Sequence, residues 1–67
     1  MKTGTIVELT ERLSGFIKQP KVKENLFFHS DDLLNVSFGA LKKGDRLTFD
    51  VVKTQKGPYA VQIRRIA

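Results

Sequence analysis

The chain has 67 residues, with twelve Lys plus Arg against seven Asp plus Glu, a formal net charge of +5, and no Cys. That length predicts one domain spanning residues 1–67. Disulfides and thiolate zinc sites are excluded, and the single His builds no His-rich metal site. The fold must rest on an apolar core, although a chain this short buries only about 60% of its unfolded surface. No apolar run approaches the roughly 18 residues of a membrane span. Met1 to Thr10 lacks the apolar stretch of a secretory signal and carries Glu8 within it. A soluble, cytoplasmic protein is the expectation, and the basic excess favours an anionic partner.

In chain order, short segments rich in β-branched and aromatic residues alternate with Gly, Pro and Asp, which reads as strands and turns. Thr5 to Leu9 is the first predicted strand and Gly15 to Lys18 the second, followed by a polar loop from Gln19 to Glu24 that contains Pro20. Asn25 to His29 is the third. Ser30 then caps one short turn through Leu34, with Asp31 and Asp32 suited to its N-terminus. Val36 to Leu41 is apolar but broken by Gly39. Arg46 to Lys53 alternates most clearly, with Leu47, Phe49 and Val51 on one face. After the Gly57-Pro58 turn, Tyr59 to Ile66 puts Val61 and Ile63 inward and Gln62 and Arg64 outward. Five short strands, with a long connection between the third and fourth, predict a small all-β barrel whose closure removes exposed sheet edges.

The third strand carries the chemistry. A polar His29 faces outward, so period-two alternation places Phe27 beside it and sends Leu26 and Phe28 into the core. Phe16, between Gly15 and Ile17, is a second ring predicted on the outer face. Phe is usually buried, so two exposed rings on one sheet of a basic protein call for a reason. Stacking on unpaired bases supplies one, at roughly 1–3 kcal/mol per base. The basic residues fall into groups, among which Lys18 and Lys56 adjoin segments that carry a predicted stacking residue. His29 alone has no orienting carboxylate and nucleophile beyond what turn chemistry already explains. The chain has no Gly-rich phosphate loop and no paired-carboxylate signature, so enzyme activity, a metal and a cofactor are not expected.

In order along the chain stand Gly4-Thr5-Ile6, Ser14-Gly15-Phe16-Ile17, Leu26-Phe27-Phe28-His29, Leu41 to Phe49, and Lys56-Gly57-Pro58-Tyr59-Ala60. Together these segments resemble the cold-shock domain family over essentially the whole chain, more specifically in the second half. The resemblance implies a five-stranded antiparallel OB-fold barrel. It also implies binding of single-stranded RNA or DNA on the aromatic face of the first three strands, as an RNA chaperone or a regulator of transcription or translation. No membrane and no small-molecule substrate is implied. On this resemblance Phe16, Phe27, His29 and Phe38 match stacking positions. Lys56, Pro58 and the adjoining Tyr59 match the flanking turn, and Arg12 matches the basic position that opens the first motif; Lys18 joins them from the charge reading. The family's aromatic positions on the first strand hold Glu8 and Leu9. Ser14 stands at the first aromatic of the first motif, Leu13 at the Gly before it, and Ser30 after the motif His. A smaller ring set predicts weaker stacking and a larger share of phosphate contacts. It also opens an alternative in which Glu8, Ser14 and Ser30 form a polar rim around Phe27 and Phe38 for a protein partner.

Overall fold

Alternation of apolar and polar residues in five segments closes the chain into a barrel, described by a computed structural model covering residues 1–67. The strands are β1 (Lys2–Leu9), β2 (Ser14–Lys18), β3 (Leu26–His29), β4 (Arg46–Thr54) and β5 (Gly57–Arg65), ordered β1-β2-β3-β5-β4 around the barrel. Neighbouring strands are antiparallel, except that β3 meets β5 in a short parallel contact at Phe27 and Tyr59. Two single turns of 3-10 helix, η1 (Ser30–Asp32) and η2 (Phe38–Ala40), interrupt the connection between β3 and β4. No helix is long and apolar enough to cross a membrane.

The inward residues form one core of Ile6, Ile17, Leu26, Phe28, Leu41, Leu47, Phe49, Ala60 and Ile63. Two glycines let the strands approach this closely. A Cβ on Gly15 would lie 2.5 Å from the Glu8 carbonyl oxygen and 2.7 Å from the Phe28 ring, and one on Gly4 would lie 2.8 Å from the Lys18 carbonyl oxygen. Backbone cannot yield to such contacts, so close packing of β1 on β2 and of β2 on Phe28 requires glycine at both positions.

Three local expectations are corrected. The Gly57-Pro58 pair does not form the last turn. Thr54 pairs with Gly57, so the turn is Gln55-Lys56, tied by the Thr54 hydroxyl donating to the Gly57 carbonyl at 2.8 Å. Pro58 is tolerated because it lies at the start of its strand, where a missing N–H is least disruptive. Val61 does not point into the core: Ala60 and Ile63 are buried, Val61 is half-buried, and Gln62 between them has φ of 51°. The ladder skips a residue there, since Thr48 faces Arg64 but Asp50 faces Val61, and a bulge of this kind reverses the facing of the residues beyond it. Ser30 is not the cap of η1. That role belongs to His29, whose Nδ1 accepts from the Asp31 N–H at 3.1 Å. Arg65 braces the long connection. Its guanidinium donates to the Ala40 carbonyl at 2.9 Å and lies 3.6 Å from Asp45, while its backbone N–H donates to Asn35 Oδ1 at 2.9 Å.

Candidate nucleic-acid interface

Strand register sets the outer surface as firmly as it sets the core. Glu8 pairs with Phe16, Phe16 with Phe27, Phe27 with Tyr59, and Tyr59 with Val52. One lateral row of outward side chains thus runs across all five strands, with rings at its three middle positions. Phe28 is fully buried and Phe27 is 42% exposed, the split that alternation requires. The Phe16 and Phe27 rings meet edge to face, with centroids 5.7 Å apart, an arrangement that braces each ring while leaving ring surface to solvent.

Beside this row lies an open cleft of about 470 Å³, lined by Phe27, His29, Asp31, Asp32, Thr54, Lys56, Gly57, Pro58 and Tyr59. Its walls come from the end of β3, from η1 and from the β4–β5 hairpin. The bond from Asp31 N–H occupies His29 Nδ1, so the neutral ring keeps Nε2–H as its free donor. Lys56 stands on the turn where Thr54 Oγ1 accepts its backbone N–H at 3.2 Å.

Of the residues singled out by sequence, Phe16, Phe27, His29, Lys56, Pro58 and Tyr59 come together in this row and cleft. Three others lie apart. Arg12 projects from the β1–β2 turn. Lys18 lies two residues beyond Phe16 on β2, outside the cleft. Phe38 packs half-buried against the core from η2. Ser14 is not part of an exposed polar rim, because it is only 6% exposed, with its hydroxyl 2.7 Å from that of Thr10. Sequence reasoning missed the carboxylates on the cleft: Asp31 and Asp32 read as turn residues, and their position is set by the cap on His29. No group of three or more His, Cys, Asp or Glu is placed to hold a metal ion.

Five strands closed in the order β1-β2-β3-β5-β4 give this barrel the OB-fold architecture. The comparisons with known proteins narrow the class. The chain belongs to the cold-shock domain family: the family model described as 'Cold-shock' DNA-binding domain matches residues 2–66, which makes this a nucleic-acid-binding domain. Among similar proteins, a cold shock-like protein of Aquifex aeolicus is 38% identical over 50 residues, covering 75% of this chain and 71% of that protein. The cold shock-like protein CspA of Vibrio cholerae is 35% identical over 62 residues, covering 91% of this chain and 89% of that one. A solved structure titled drosophila Unr CSD456 superimposes with a TM-score of 0.82 at 27% identity, covering 98% of this chain, which spans 26% of that longer one.

Proposed function

We propose that the domain binds single-stranded RNA or DNA and acts in the cytoplasm as an RNA chaperone or as a regulator of transcription or translation. Unpaired bases stack on Phe16, Phe27, His29 and Tyr59, with Phe38 and Pro58 at the margins. Lys56, Lys18 and Arg12 meet the phosphates. The observation that carries this reading is Phe27, 42% exposed in the middle of a ring row. Leaving such a surface in water is unfavourable, and a base π-face covers it without demanding a particular sequence. A paired base offers no free face, so the row favours single strands. The role is binding, with no catalytic step.

The test is fluorescence titration with labelled oligothymidine, oligouridine and a duplex of equal length, at low and moderate salt. The reading predicts that both single strands bind more tightly than the duplex, and that Phe27→Ala weakens them. A protein-partner role is favoured by the carboxylates bordering the face, with Glu8 opposite Phe16 and Asp31 and Asp32 on the cleft. It takes precedence if neither oligonucleotide binds.

A further inference from the structure

A second concave surface lies outside the aromatic cleft. Thr5 on β1 pairs with Lys18 of β2 on one side and with Arg46 of β4 on the other. Gly4 and Ile6 point inward, as do Ile17 and Leu47, so Thr5, Lys18 and Arg46 all project outward in one row. Strand spacing puts the Cα atoms of Lys18 and Arg46 roughly 10 Å apart, with Thr5 between them. Together with Thr3, Gln19 and Pro20 they line a groove of about 170 Å³ that has no Asp or Glu.

The chemistry differs in kind from that of the cleft. The ion pairs of the molecule are those of the Met1 amino group with Asp50 and of Arg65 with Asp45, leaving Lys18 and Arg46 without a carboxylate partner. Asp45, the nearest acid in sequence, is engaged elsewhere: its Oδ2 accepts the Lys42 N–H at 2.9 Å and faces Arg65. The Arg46 backbone is fixed by bonds to Ala67 and Ile66, so its exposed side chain leaves from a rigid base. Two unpaired cations flanking a hydroxyl donor suit a phosphate, which they meet without reading the base it carries. The groove also continues the ring row, because Lys18 lies beyond Phe16 on the same face of β2, roughly 7 Å further on.

We propose that this groove holds a backbone phosphate of a strand that stacks on the ring row and continues past Lys18 over β1 to Arg46. The proposal rests on the single-strand reading and lengthens the binding path. Recognition along the added stretch is indifferent to base, and it operates only for strands long enough to reach it. Site sizes of about 4–16 nucleotides per barrel of this class leave room for such an extension.

The experiment measures the salt dependence of affinity for a six-nucleotide and a twelve-nucleotide oligothymidylate, with the wild type and with Arg46→Gln and Thr5→Val. Salt slopes are read because extra binding registers on the longer strand raise its affinity without changing its slope. Melting curves check that both variants, altered at outward side chains, remain folded. For the twelve-mer, Arg46→Gln should flatten the slope by about 0.7, one phosphate contact on a single strand. It should weaken affinity several-fold at low salt and leave the six-mer within about twofold, while Thr5→Val repeats the length selectivity more weakly. Unchanged slopes at both lengths, or equal changes at both, overturn the groove and leave the aromatic reading intact. Failure of the wild type to bind either length overturns both.

Discussion

Exchanging Phe27 and its neighbour Phe28 for smaller residues separates binding from folding within two adjacent positions. Phe28 is fully buried among nine core residues. Its truncation to Ala should therefore cost about 3–5 kcal/mol. At about 0.05–0.15 kcal/mol per residue, a chain of 67 residues has a total stability of only about 3–10 kcal/mol. Phe28→Ala thus removes a third of that stability or all of it, and Phe28→Leu serves as the gentler variant where the first does not fold. Phe27 is 42% exposed. Its partial burial contributes about 1 kcal/mol and the edge-to-face contact with Phe16 somewhat less, so Phe27→Ala should cost about 1–2 kcal/mol. For a domain this small, each kcal/mol moves the melting temperature by roughly 4–8 °C. Binding runs the other way: loss of one stacking ring removes about 1–3 kcal/mol, a weakening of about 5- to 150-fold. Urea melts and oligothymidine titrations on the same samples give both quantities. Equal destabilisation by the two Ala variants, with the affinity of Phe27→Ala unchanged, would refute the facing of β3 and the role assigned to its outer side.

Three further outcomes are expected. Leu13 has φ of 60° and is largely exposed, so Leu13→Gly should raise stability by up to about 1 kcal/mol in urea melts, the relief of left-handed strain exceeding the added flexibility of the unfolded chain. Glu8→Trp, directly opposite Phe16, adds a stacking surface and removes a charge that repels phosphate; oligonucleotide affinity should rise by about tenfold, and no change would favour the protein partner. Lys56→Ala should flatten the salt slope by about 0.7 and weaken all sequences alike, because a phosphate contact carries no base information.

The strands and the core were legible where alternation was strict. Leu47 and Phe49 in β4, and Leu26 and Phe28 in β3, fall inward as their spacing dictates. The facing of Phe27 was set by one polar neighbour, His29. Legibility failed where backbone conformation departs from the residue's preference. Nothing in the sequence marks Gln62 as a left-handed residue, yet its bulge moves the inward positions of β5 from Val61 and Ile63 to Ala60 and Ile63. Gly57 and Pro58, both turn formers, start a strand because Thr54 pairs across the two residues before them. The site was illegible where it depends on a long-range fold of a turn. Ser14 reads as an exposed gap in the ring set, but the β1–β2 turn covers it through Thr10. The groove at Lys18 and Arg46 joins residues 28 positions apart through their common partner Thr5, a register that charge counting along the chain does not contain.

If the face of Phe16, Phe27, His29 and Tyr59 receives a single strand, its rings must sense the bases at first hand. A two-dimensional amide and aromatic NMR titration of the isotope-labelled protein with a six-nucleotide oligothymidylate reads this residue by residue. The largest shifts, including those of the Phe27 and Phe16 ring protons, should cluster on β2, β3 and the Gln55-Lys56 turn, with little change at Leu34, Asn35 and Gln62 on other surfaces. Saturable shifts centred elsewhere, or ring signals of Phe16 and Phe27 that stay unmoved at saturating oligonucleotide, would contradict a single strand on this face.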